Sequence, residues 1–187
     1  MMPVVRLNDA TFADLSHLKT WFGTKTPSET IDHIVREAMD QLGLEREEEP
    51  GSVVTNGSGV IEFDRTPSLS FAKPLAASIK GKQIPSPRWS SILVAMIEHV
   101  KSMGFEGSKL ISELSVPSKA ERYEEEGFKY HPTLGISVQG QSANDAWKEV
   151  ERLSSKWGIP VMVEFWWRHN PKAQYPGKTG IMRSPKQ

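Results

Sequence analysis

Two apolar stripes at helical spacing lie within the first 44 residues, and together they are too small to close a core within one chain. Phe12, Leu15, Leu18 and Phe22 recur at three- and four-residue steps, which puts them on one face of a helix that begins at Asp9 and stops at Gly23. Thr26-Pro27-Ser28-Glu29 then carries the start signal of a second helix: Thr at the N-cap, Pro at the first helical position and Glu two further in. Ile31, Ile34, Val35, Ala38, Met39 and Leu42 form its stripe, and Gly43 ends it. Ahead of both helices, residues 3–8 read as a short strand, with Val5 and Leu7 on one side and Val4, Arg6 and Asn8 on the other. A unit of roughly 40 residues with no cysteine to staple it needs a partner. The expectation is a homodimer through residues 3–44, in which two strands pair antiparallel and four helices enclose one interior.

The rest of the composition bounds the chain more loosely. Hydrophobic residues make up 37% of 187 and the mean hydropathy is −0.44, so part of the length is expected to be linker or exposed surface. The absence of cysteine excludes disulfides, thiolate nucleophiles and Cys-based zinc sites, and it fits a reducing cytoplasm. No apolar run approaches a membrane span and the N-terminus has no basic-then-apolar leader pattern, so a soluble cytoplasmic protein without membrane contact is expected. The five histidines are scattered without metal-ligand spacing, and no cofactor is expected.

A net charge of zero hides an asymmetry. Residues 1–44 carry four basic and six acidic groups, residues 45–66 two and six, and the remainder 17 and 11. A polyanion would prefer the C-terminal part. Residues 45–67, with the run Glu45-Arg46-Glu47-Glu48-Glu49 followed by Pro, Gly and Ser, read as a linker, with a possible short strand at residues 60–63.

Residues 68–187 read as a basic α+β domain, a small mixed sandwich of helices on a sheet. Residues 69–79 are β-like across Pro74, residues 89–103 form an amphipathic helix, and residues 108–114 a shorter one. A strand at 134–139 leads to a helix capped by Ser142 and closed by Gly158. Residues 159–168 are the strongest strand, and residues 180–183 are expected to add an edge strand.

With Val4-Val5-Arg6-Leu7-Asn8 ahead of Thr26-Pro27-Ser28-Glu29, the opening residues resemble the ribbon-helix-helix (MetJ/Arc) superfamily over about 42 residues. The resemblance implies that the outer face of the ribbon, here Val4, Arg6 and Asn8, enters the major groove of DNA. It also implies that the start of the second helix, at Lys25, Thr26 and Ser28, anchors a phosphate. Two departures are plain: the segment is net acidic, and Val4 is apolar where a polar reader is usual. Residues 135–145 and 163–168 resemble a bacterial group labelled SepA-like type IV secretion effectors, a label that implies no particular chemistry.

Three features of the C-terminal part bear on binding. Gln139, Gln141 and Ser142 lie at a strand–glycine–helix junction, where free N–H groups either hold an anion or simply cap the helix. Trp166 and Arg168 share a strand face with Met162 and Glu164, which suits base stacking unless that face is covered. Arg168, Lys172, Lys178 and Arg183 belong to a basic tail with no acidic residue after Glu164. A metal nuclease would require Glu164 and Asp145 to converge. The reading that joins these features is a dimeric DNA-binding protein, a transcriptional regulator or antitoxin-like factor, with no catalytic residue assigned. The alternative is a non-enzymatic subunit of a bacterial defence, plasmid or secretion system that uses residues 1–44 only to dimerise.

Overall fold

A computed structural model describes residues 6–42 and 59–185. Residues 3–5 of the expected strand, Val4 among them, and residues 45–58 of the expected linker lie outside the described residues. The chain divides into two compact units, the first ending at Met39 and the second beginning at Asp40.

The first unit is a helical hairpin. Helix α1, Asp9–Phe22, starts at Asn8, whose side-chain oxygen accepts from the Thr11 N–H at 2.8 Å. It stops at Gly23, whose left-handed backbone (φ 65°) lets the N–H turn back to the Lys19 carbonyl. Helix α2, Pro27–Leu42, starts with the capping arrangement that its residues predict. Thr26 Oγ1 accepts from the Glu29 N–H at 3.2 Å, and the Glu29 carboxylate accepts from the Lys25 N–H at 2.8 Å. The turn is tied by Thr30, which is fully buried and whose hydroxyl lies 2.6 Å from that of Thr24. Residues 6–8 pair with no strand among the described residues.

The second unit is α+β. Its main sheet has the order β1 (Ile61–Glu62), β8 (Thr179–Ser184), β7 (Val161–Trp167), β2 (Ala72–Ile79), β3 (Lys82–Gln83). All neighbours run antiparallel except β1 and β8. The β2–β7 register slips between Pro74 and Ala76, which is how a proline that cannot donate is accommodated within the strand. Helices α3 (Trp89–Ser102) and α5 (Ala143–Trp157) pack against each other and, through α3 on β2 and α5 on β8, against this sheet. A short helix, α4 (Gly107–Glu113), leads into a second small sheet of β4 (Ser118–Lys119), β6 (Ile136–Gln139) and β5 (Phe128–His131).

The core lies where α3 and α5 meet the sheet. Ile92, Met96, Ile97 and Val100 of α3 and Ala146, Trp147, Val150 and Leu153 of α5 meet Val163, Phe165 and Trp167 of β7, all at most 1% exposed. Three buried indoles each keep a partner: Trp89 donates to the Ala72 carbonyl, Trp167 to the Ser68 carbonyl and Trp147 to the Thr66 hydroxyl, at 2.9–3.1 Å. Glu149, 3% exposed, accepts from the Ser115 N–H and from the Arg152 guanidinium, which also donates to the Glu113 carbonyl. This buried charge ties the segment after α4 to α5, and the carboxylate raises the pKa of Arg152 through its hydrogen bond.

Three expectations change. The linker ends earlier than residue 67, because Ile61 and Glu62 form a strand and Phe63 packs on Trp167 and Tyr175 at ring separations of 5.5 Å. The acidic and small residues around Phe63 mask one apolar anchor that decides where the segment goes. Strand β8 is not an edge strand, since β1 flanks it on the side away from β7. The basic stretch after Trp167 is not a tail but a hydrogen-bonded loop followed by β8. Among the described residues no helix is long and apolar enough to cross a membrane.

Candidate nucleic-acid interface

Strand β7 alternates strictly between two environments. Val161, Val163, Phe165 and Trp167 are buried on the helix side, and Met162, Glu164 and Trp166 are half-buried on the other. The register extends this outer face across the sheet. Trp166 stands between Lys73 of β2 and Thr179 of β8, Glu164 between Ala76 and Ile181, and Met162 between Ser78 and Arg183. One end of the face is therefore an indole beside a lysine, and the other holds Arg183, about 13 Å away at 3.3 Å per residue.

The Trp166 end is shaped by the loop that follows. The His169 ring meets the indole edge-on at a centroid separation of 5.7 Å. Gly177 lies directly against that imidazole: a Cβ there would sit 2.4 Å from His169 Cε1, and its φ of +72° is itself a glycine conformation. The loop is closed by the Gly177 N–H on the Trp167 carbonyl and the Trp167 N–H on the Lys178 carbonyl. Within it the Asn170 N–H reaches the Arg168 carbonyl, and Asn170 Oδ1 accepts from the Lys172 N–H at 2.8 Å. Arg168, Lys172 and Lys178 are thus carried on the hydrogen-bonded loop between β7 and β8, and no acidic residue occurs between Phe165 and Gln187. At the far end Arg183 pairs with Glu62 and lines a groove of about 730 Å³ with Ser78, Met162 and Asp64.

The other residues singled out in the sequence have different surroundings. Ser142 caps α5: its hydroxyl accepts from the Asp145 N–H and donates to the Asp145 carboxylate at 2.6 Å. Gln141 donates to the Gln139 carbonyl, and Gln139 to the Glu126 carbonyl. The helix N-terminus there already faces a carboxylate, which favours the plain capping role. The start of α2 is similar, since the Glu29 carboxylate accepts from the Lys25 N–H and Thr26 Oγ1 from the Glu29 N–H, a reciprocal cap within the chain. Asn8 caps α1 through its side-chain oxygen, and Arg6 is exposed. Asp145 is bonded to Ser142 and Glu164 lies between Ala76 and Ile181; among the described residues no three His, Asp or Glu side chains gather to hold a metal ion.

The hairpin carries a second surface. Leu15 is its only buried hydrophobic residue among those described, whereas Leu7, Phe12, Leu18, Trp21, Ile31 and Val35 are 36–84% exposed. Ile31 and Val35 are one turn apart on α2 and share a face.

Lys73 and His169 are the residues of the Trp166 end that the sequence did not point to. Lys73 becomes its neighbour only through the β2–β7 register, which joins positions more than 90 residues apart. No family model, no curated protein and no solved structure matches the chain.

Proposed function

We propose that the protein is a DNA-binding homodimer of ribbon-helix-helix type, joined through residues 3–44, with the basic outer sheet face of the second unit supplying a further contact to nucleic acid. The observation that carries the reading is the exposure of the hairpin's apolar residues. Six large apolar side chains face solvent around one buried leucine, an arrangement that a single chain of this size cannot stabilise but two chains can. A second copy brings the same stripes and strands of residues 3–8 that can pair with each other. The excess of basic over acidic groups beyond residue 66 gives such a dimer two cationic lobes.

The test is binding of a mixed-sequence duplex by the full chain over a series of salt concentrations. Affinity should fall steeply as salt rises, and Ile31→Asp with Val35→Asp should weaken it by separating the protomers. Absence of duplex binding at low salt would end the DNA reading.

One further reading has an observation of its own. The hairpin is net acidic and Glu29 already occupies the start of α2, which suits a module used for assembly alone. In that reading the protein is a dimeric subunit of a larger bacterial defence, plasmid or secretion system. It predicts the same dimer with no DNA affinity at physiological salt.

A further inference from the structure

We propose that the groove at the end of the main sheet binds a small organic cation, an amine carried on an apolar body. The inference goes beyond the DNA-binding reading and does not depend on it.

The groove follows the end of the sheet rather than one of its faces. Consecutive residues line it together, Val161 with Met162 on β7 and Arg183 with Ser184 on β8, although their side chains alternate between the two faces. Its volume of about 730 Å³ falls in the range of small-molecule sites, and Met162, Pro160 and Pro185 give it apolar walls.

Two serines of the groove have hydrogen-bonding capacity that the protein leaves unmet. Ser184 is 3% exposed, and its hydroxyl is buried without a partner. Ser78 is 8% exposed, and its hydroxyl makes no hydrogen bond among the described residues. Buried polar groups in native proteins are nearly all bonded, so two unmatched hydroxyls in one groove call for polar atoms from a bound molecule.

Charge chooses the kind of molecule. Arg183 is the one cation among the described residues that line the groove, and it is paired with Glu62. Asp64 has no hydrogen bond or ion pair among the described residues, so the lining carries one carboxylate in excess. Lys80 and Lys82 flank Gly81 without lining the groove. An anion would meet Asp64 with no free cation to hold it. An ammonium gives Asp64 a charge-assisted hydrogen bond and keeps further N–H donors for Ser78. The carbon body then covers Met162 and the two prolines.

The test is a titration of the full ¹⁵N-labelled chain with phenethylamine, phenethyl alcohol and phenylacetate, followed by amide chemical shifts. The three probes share one apolar body and differ in charge. The amine should bind with a Kd in about the millimolar range, as expected for so few atoms, and should shift amides of residues 62–64, 78–81, 160–162 and 183–185. The alcohol should bind about threefold more weakly, the worth of one partly exposed ion pair, and phenylacetate more weakly still. Asp64→Asn should bring the amine down to the level of the alcohol, and Met162→Trp should fill the groove and weaken both. Equal binding of amine and alcohol would overturn the choice of a cation. Shifts that fall outside the groove, or that Asp64→Asn leaves unchanged, would overturn the site. Duplex binding plays no part in the readout, so either result leaves the DNA reading to its own test.

Discussion

Trp21 of the helical hairpin is 84% exposed, whereas Trp89, Trp147 and Trp167 of the second unit are 0–2% exposed with every indole N–H bonded. The contrast extends to the smaller residues. The second unit draws apolar residues from three helices and two sheets into one contiguous core, and the described residues of the hairpin bury one leucine and one threonine. Local signals are nonetheless as good in the hairpin as anywhere: both helices have capped starts, and α1 ends on a left-handed glycine. Good local structure without burial does not make a stable fold, because most helical stability in proteins comes from packing an amphipathic face. The second unit buries its apolar residues in its own core, whereas the described residues of the hairpin leave most of theirs exposed.

The largest expected effect tests the self-sufficiency of the second unit. Trp147→Ala should remove about 3–5 kcal/mol from its unfolding free energy, read from a urea titration. The loss should be the same at every protein concentration; a loss that varied with concentration would mean that this unit too is stabilised by association. Next in size, Gly177→Ala forces a side chain into a left-handed position and against His169, and should cost about 1–3 kcal/mol. It should also change the emission of the neighbouring Trp166, whereas an unmoved spectrum would separate the loop from the indole. In the hairpin, Thr26→Ala removes the acceptor for the Glu29 N–H and should cost about 1 kcal/mol per protomer. On the proposed dimer, this loss should be read as weaker association rather than as a shift in the urea midpoint of the second unit.

The smallest effect is pH dependence, and it belongs to the second unit. Burial first, and then the charge of Lys129, lower the pKa of His131 below 6.5, with Glu98 opposing. Burial and Lys80 do the same for His99. The unfolded chain therefore binds these protons more tightly than the folded one. Their contribution is fully present above pH 6.5 and is lost as pH falls through the lowered folded values. Urea midpoints across this range should decline toward acid, and His131→Asn should reduce the slope.

What the sequence made legible follows the reach of each interaction. Helix α5 was readable at both ends, because Ser142 and Gly158 act within a few residues of themselves. Strand β7 was readable from its alternation, down to which of its side chains are buried. The short strand at Ile61 and Glu62 was legible only as a possibility, since nothing local shows that Phe63 will find Trp167. Strand β5 passed unnoticed, although Phe128 and Tyr130 alternate with charged residues ahead of Pro132. Of the candidate interface, Trp166, Arg168, Lys172 and Lys178 were named from strand face and charge, but Lys73 joins them through a register that no local pattern encodes. Asn8 has a structural role that its place at the end of an expected strand did not reveal: its side chain accepts from the Thr11 N–H and caps α1.

The central claim is that two copies of the hairpin share one apolar interior. Sedimentation equilibrium of the intact chain at micromolar concentration tests it most directly. The account predicts a mass of twice 21.0 kDa, falling to 21.0 kDa on Ile31→Asp with Val35→Asp. A wild-type mass of 21.0 kDa with the hairpin still helical would contradict it.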